Sequence, residues 1–285
     1  TDIDTIGVGE PTELVLSLSK TDMSCFGQPD GTATVVASGG VVASDYIYNW
    51  SNGALNSVTL NLTDIFYNVS VTDDNGCTTI DSIKIDEPVI LSSTINNIAS
   101  SCFEGNDGQA IVDVAGGTTD NLGNYSYQWG TTPVQTSDTA INLTGGATYI
   151  VTITDANACV LLDTVTINQP MPLALSGITT NTSCDYSNDG TGTITPIGGT
   201  APYFYNWSVN NQITSTATGL TKGNYLTTVT DNNGCEATIS VSVTGPEPIL
   251  LDAVSVAALC KGDANGSLLA SGIGGTPFVE NAYSF

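Results

Sequence analysis

Val71-Thr72-Asp73-Asp74-Asn75-Gly76-Cys77 returns as Ile153-Thr154-Asp155-Ala156-Asn157-Ala158-Cys159 and again as Val229-Thr230-Asp231-Asn232-Asn233-Gly234-Cys235. Each copy runs a β-branched pair into an Asp/Asn-rich step of the kind that supplies positive φ in a tight hairpin. An alternating run leads in and another leads out, so a strand, a turn and a strand are written three times. The fold class is all-β.

Outward from the hairpin, every other mark recurs in the same order. Upstream, Leu62 to Tyr67, Leu143 to Tyr149 and Leu220 to Tyr225 feed the first strand of the hairpin. Before them stand Tyr48-Asn49-Trp50, Tyr127-Gln128-Trp129 and Tyr205-Asn206-Trp207. Earlier still come the glycine pairs Gly39-Gly40, Gly116-Gly117, Gly198-Gly199 and Gly274-Gly275. The series opens with Ser24-Cys25 to Asp30-Gly31, Ser101-Cys102 to Asp107-Gly108, Ser183-Cys184 to Asp189-Gly190, and Cys260 to Asn265-Gly266. It closes on Glu87-Pro88, Gln169-Pro170 and Glu247-Pro248.

A period of about 80 residues, with strand signals every ~8–12, fits a sandwich of about seven short strands. The expected architecture is therefore a set of tandem immunoglobulin-like β-sandwich repeats forming an elongated rod. The expected boundaries are 12–88, 89–170 and 171–248 for three complete repeats. Residues 1–11 read as the last strand of a preceding repeat, and 249–285 as the N-terminal part of a fourth. In the first complete repeat, strands are predicted at 13–19, 31–38, 45–51, 57–62, 65–73 and 77–86, with a short extra one near 53–56. The chain thus reads as an internal slice of a longer array, any signal peptide lying outside it.

Composition narrows the function. The 285 residues hold 28 Asp and Glu against four Lys, with no Arg and no His, a net charge of −24. Nucleic-acid binding is excluded, since phosphate neutralisation needs a basic face. The usual general base, transition-metal ligand and carboxylate clamp are missing as well, which argues against an enzyme. Apolar residues come in short runs, with no 18-residue stretch for membrane insertion.

Trp50, Trp129 and Trp207 are expected in the core, where an indole contributes the largest apolar area. Tyr67, Tyr149 and Tyr225 read as corner tyrosines whose hydroxyls bond back to the backbone. Two cysteines per complete repeat read as disulfides. The simplest pairing is Cys25–Cys77, Cys102–Cys159 and Cys184–Cys235, with the partner of Cys260 outside the chain. Pairing between neighbours (Cys25–Cys159, Cys102–Cys235) is the alternative, because the first loop and the last hairpin of such a sandwich lie at opposite ends. No cofactor is expected, and no catalytic residue. Asp73, Asp74, Asp155, Asp231, Glu10 and Glu87 are candidate Ca²⁺ ligands at the repeat junctions, since oxygen-only sets suit that ion. Turn chemistry explains the same aspartates without a metal.

The combination Cys…Asp-Gly…Gly-Gly…Tyr-x-Trp…Leu…Tyr…Val-Thr-Asp-x-Asn-Gly-Cys…Pro resembles the SprB-type repeat of Bacteroidota surface adhesins. The second repeat departs from it, with Ala158 for Gly and a longer Thr118–Asn124 segment. The resemblance implies a very large filamentous cell-surface protein exported by the type IX system, in gliding species an adhesin for gliding motility. It further implies O-glycosylation at Asp4-Thr5-Ile6, Asp81-Ser82-Ile83, Asp138-Thr139-Ala140 and Asp163-Thr164-Val165, triplets that also serve as plain strand residues. The expected role is a structural and adhesive segment at the extracellular face. Outer-membrane anchoring or motility machinery would be engaged through regions outside this chain, and the surface or glycan ligand is open. A carbohydrate-binding array using Tyr46, Tyr125 and Tyr203 is the second reading, and a spacer in a large secreted hydrolase the third.

Overall fold

The computed structural model describes residues 7–209 and 211–275. The first six residues of segment 1–11, with the triplet Asp4-Thr5-Ile6, and residues 276–285 of the last segment lie outside the described residues. Every regular element described is a strand, and among the described residues no helix is long and apolar enough to cross a membrane.

The strands come in sets of six. The first set is β1 (Val15–Thr21), β2 (Gly31–Ser38), β3 (Ile47–Trp50), β4 (Val58–Leu62), β5 (Phe66–Thr72) and β6 (Thr78–Lys84). The second is β7 (Ser92–Ile98), β8 (Gly108–Ala115), β9 (Ser126–Trp129), β10 (Thr139–Leu143), β11 (Thr148–Thr154) and β12 (Val160–Thr166). The third is β13 (Ala174–Thr180), β14 (Gly190–Ile197), β15 (Phe204–Trp207), β16 (Thr216–Leu220), β17 (Gly223–Thr230) and β18 (Glu236–Val243). A last pair, β19 (Leu250–Val256) and β20 (Ser267–Ile273), follows.

In the first set the hydrogen-bonded orders are β1-β2-β4 and β3-β5-β6, and the third set repeats them as β13-β14-β16 and β15-β17-β18. The second gives β10-β8-β7 and β12-β11-β9, the same orders read from the other edge. All registered pairs are antiparallel. With strands lettered along the chain and the fourth sandwich strand absent, this is the A-B-E and C-F-G partition of an immunoglobulin-like sandwich. Sequence alternation drives it. Gly31, Ala33 and Val35 of β2 point inward with half-exposed residues between them, and β5 buries Tyr67, Val69 and Val71. Both sheets of the first set meet in one core of Ala33, Val35, Trp50, Leu62, Tyr67, Val69, Val71 and Ile85. The third set closes over Ile194, Trp207, Ala217, Leu220, Val229, Val241 and Val243.

The three tryptophans are buried at the end of the C strand. Each indole Nε1–H has a carbonyl partner at 2.9 Å: Asn56, Ser137 and Thr214. That bond accounts for one departure from the sequence reading. Residues 53–56 form no strand, because Trp50 N–H bonds the Ala54 carbonyl and Gly53 N–H bonds the Trp50 carbonyl, folding the segment into a turn over the indole. At the E–F corner, Tyr67 Oη accepts from Thr63 N–H at 3.0 Å, and Tyr225 Oη donates to the Thr221 carbonyl at 2.9 Å. Tyr149 holds the same place half-buried.

By packing, the chain divides into two compact units: residues 1–97, 110–141 and 148–166 in the first, and 98–109, 142–147 and 167–285 in the second.

Candidate functional site: the cysteine junctions

The linker before each sandwich is held by the glycine pair. Gly39 and Gly40 take φ of 82° and 67°, in the left-handed region that glycine enters without penalty. Gly40 N–H donates to the Thr12 carbonyl at 2.8 Å, and a Cβ on Gly39 would fall 1.9 Å from the Glu13 carbonyl oxygen. Gly117 holds Val89, Gly199 holds Met171 and Gly275 holds Glu247 in the same way, at 2.7–2.9 Å. Tyr46, Tyr125 and Tyr203 tie down the same turn, their hydroxyls donating to the carbonyls of Gly39, Gly116 and Gly198. Their rings are half-buried, and Tyr46 and Tyr203 pack on the hydrophobic cores. They anchor the turn.

The aspartate of each F–G hairpin faces this glycine turn and braces two loops at once. Asp155 accepts Thr118 N–H on one oxygen at 2.8 Å, and Asn157 and Cys159 N–H on the other at 2.9 and 2.8 Å. Asp73 does the same for Val41, Asn75 and Cys77, and Asp231 for Thr200, Asn233 and Cys235. The hydrogen bonds from Val41, Cys77 and Asn75 hold the Asp73 carboxyl below the usual range. At Asp231 burial pushes upward, and the bonds from Cys235, Thr200 and Asn233 outweigh it. Asp74 accepts from the N–H groups of Ala43 and Ser44.

The opposite end of each sandwich carries the A–B loop with the first cysteine. Here Ser24, Ser101 and Ser183 donate their N–H groups to Asp30, Asp107 and Asp189 at 2.9–3.0 Å. The Ser183 and Ser187 hydroxyls bring Asp189 down to about 2. The linker acid closes over this loop: Glu87 accepts from Gly27 N–H at 3.2 Å and Gln169 from Glu104 N–H at 2.7 Å. A carboxylate and an amide oxygen serve equally as acceptors, which accounts for Gln169 standing where Glu87 does. Glu10 is exposed. Asp73, Asp74, Asp155 and Asp231 thus accept backbone N–H groups at one end of the sandwich and Glu87 at the other. Among the described residues no three His, Cys, Asp or Glu side chains gather as a metal site.

The disulfides follow this polarity. Cys25 bonds Cys159 and Cys102 bonds Cys235, each pair with Cα atoms 5.7 Å apart. The expected pairing within repeats, Cys25–Cys77, Cys102–Cys159 and Cys184–Cys235, is corrected by this finding. Within one sandwich the A–B loop and the F–G hairpin lie at opposite ends, so neither cysteine reaches the other. The loop of one sandwich instead meets the hairpin of the next across the linker. Cys77, Cys184 and Cys260 are free and exposed.

A second contact marks the junction and was not singled out in the sequence. Asn157 Nδ2 donates to the Ser24 carbonyl at 3.0 Å, and Asn233 Nδ2 to the Ser101 carbonyl at 2.8 Å. Each carboxamide also reaches the threonine after the glycine pair, Thr118 or Thr200, at 3.2 Å. The signal was the asparagine common to all three hairpins, legible only as a turn residue until its partner is seen.

Strand order, core tryptophan and corner tyrosine define a tandem array of immunoglobulin-like sandwiches stapled by disulfides between neighbours. The family model for the SprB repeat matches this chain at residues 17–55 and 92–132, the span from A strand to Trp strand region in the first and second sandwiches. A comparison with curated proteins gave no match. Among solved structures, the N-terminal four Ig domains of Dscam1 isoform 7.44 share 14% identity over 75% of this chain and 69% of that one, with a TM-score of 0.25. The Dpr2 Ig1-Ig2 complex with DIP-Theta Ig1-Ig3 gives 9% identity, 79% and 95% coverage and a TM-score of 0.27. The first eight Ig domains of Down Syndrome Cell Adhesion Molecule isoform 1.30.30 give 10%, 92%, 52% and 0.27. The fold assignment rests on the strand order within each sandwich.

Proposed function

We propose that this chain is a non-catalytic, structural and adhesive segment of a long cell-surface adhesin, one that serves attachment or gliding motility. The observation that carries the reading is the double hold on the two linkers between complete sandwiches. Backbone hydrogen bonds from a glycine pair fix the end of each, and a disulfide with an asparagine contact spans it. Such a chain carries tension from one sandwich to the next through a covalent bond as well as through the linker. The match to the SprB repeat supports a surface location, and structural disulfides suit an oxidising compartment. Export by the type IX system, anchoring at the outer membrane through other regions and assembly into filaments belong to the same proposal. The ligand would be an extracellular surface or glycan.

Antibodies raised against the folded chain test it on intact producing cells. Surface labelling, with loss of attachment or gliding when antibody fragments are added, is the expected result. Label that appears only after lysis would overturn the proposal.

A further inference from the structure

The two closed junctions and the unpaired cysteines together describe a coupling with two distinct halves. One half is the Asp-braced A–B loop with its cysteine, backed by the linker. The other is the Asp-x-Asn-x-Cys hairpin. At the first junction, Phe26, Pro88 and Ile90 line a groove of about 700 Å³ beside the Cys25–Cys159 bond, which the hairpin residues Asn157 to Leu161 help to close. At the second, Phe103, Pro170, Met171 and Leu173 line one of about 520 Å³ beside Cys102–Cys235.

Cys184 lies in a third groove of about 410 Å³, formed by its own loop with Tyr186 and by Pro246, Glu247, Pro248 and Ile249 of the linker. Its loop carries the same brace, Ser183 N–H to Asp189, as the two that are bonded. No hairpin residue lines this groove, and Tyr186 stands 88% exposed beside it. The complementary half is also present. The Cys77 hairpin is held by Asp73 through the same three N–H contacts as the bonded hairpins of Cys159 and Cys235, yet its thiol is free and exposed.

We infer that the Cys184 groove is the docking site for an Asp-x-Asn-x-Cys hairpin of another repeat of this kind, and that the Cys77 hairpin is built to enter such a groove. Resting on the array reading above, the inference adds the rule of assembly: loop pairs with hairpin, never loop with loop or hairpin with hairpin. The asparagine two residues before the hairpin cysteine donates to the carbonyl of the serine before the loop cysteine, setting the register before the sulfurs meet. The bond forms as two thiols lose two protons and two electrons to a disulfide oxidant such as oxidised glutathione, which leaves as two thiols.

A second copy of the chain serves as the probe. One variant keeps only Cys77 free (C184S, C260S), and the other keeps only Cys184 free (C77S, C260S). Both retain the two native disulfides. Mixed in a glutathione buffer under native conditions, they are expected to give the Cys77–Cys184 heterodimer at least tenfold over either homodimer. That preference should disappear in denaturant and fall several-fold with Asn75→Ala in the first variant. A statistical ratio of homodimers to heterodimer, or a preference that survives denaturant, would overturn the inference. Either result leaves cell-surface labelling unaffected, so the two proposals fail separately.

Discussion

Asn157 donates its carboxamide to the carbonyl oxygen of Ser24, 133 residues earlier in the chain, at 3.0 Å. The bond sits beside Cys25–Cys159, and the pair Asn233 and Ser101 repeats it beside Cys102–Cys235. Polar register and covalent closure therefore arrive together at both junctions, and the contact has consequences for stability.

Removing one staple, with Cys25→Ser and Cys159→Ser together, should lower the stability of the first unit by about 2–4 kcal/mol, the usual effect of losing a long-loop cross-link. Guanidinium unfolding measures it. In single-molecule pulling the effect is a length. With both disulfides closed, three segments run in parallel between the two bridges, and the shortest, 102–159, sets the fully stretched distance from Cys25 to Cys235. Reduction should therefore lengthen the fully stretched chain by roughly 500 Å, at ~3.5 Å per residue. Equal contour lengths before and after reduction would contradict the pairing.

Asp155→Ala should cost about 2–3 kcal/mol, since the N–H groups of Thr118, Asn157 and Cys159 lose their acceptor together. Asp155→Asn should fall between, because only the oxygen end of the amide can accept. Loss of order in the 117–119 turn, read by amide hydrogen exchange, separates this from a general loss of stability.

Ala158 holds φ of 66°, where Gly76 and Gly234 hold 81° and 85° in the sister hairpins. A side chain in that region costs roughly 1–2 kcal/mol. Ala158→Gly should accordingly stabilise the second sandwich by about 0.5–1 kcal/mol, less than the full strain because glycine loses more backbone entropy on folding. A melting temperature that falls would argue against it.

Acid should weaken the fold at Asp86, where Lys20 and Lys84 converge at 2.6 and 2.5 Å and hold the carboxyl at about 2, against an ordinary 3.8. A depressed carboxylate supports the fold above its unfolded value. Its contribution is present above about pH 4 and is lost as the pH falls towards 2. The pairs are exposed, so the effect should shrink with salt. Carboxyl NMR should give Asp86 a midpoint near 2 that rises in Lys20→Met. A midpoint near 3.8 in the wild-type chain would show that the lysines do not hold it.

The strands were legible because burial here alternates residue by residue, and β2 and β5 keep that period without a break. The Trp core and the Tyr67 and Tyr225 corners were legible because both are local features tied to strand position. The sulfur pairing was not legible in the same way. Cys25 is a fixed distance in sequence from both Cys77 and Cys159, and the spacing is compatible with either partner. Only the polarity of the sandwich, loop at one end and hairpin at the other, decides between them. The acidic residues were ambiguous for a related reason. A carboxylate beside a turn has the same sequence signature whether it faces a cation or a backbone N–H, and at Asp73, Asp155 and Asp231 the N–H groups are what it faces.

The two sulfur bridges overlap along the chain, 25 to 159 and 102 to 235. Every peptide bond between Cys25 and Cys235 is therefore bypassed by at least one of them. A protease that nicks any exposed turn in that span severs the backbone yet releases no fragment, so a surface worn by digestion keeps its outer portions tethered.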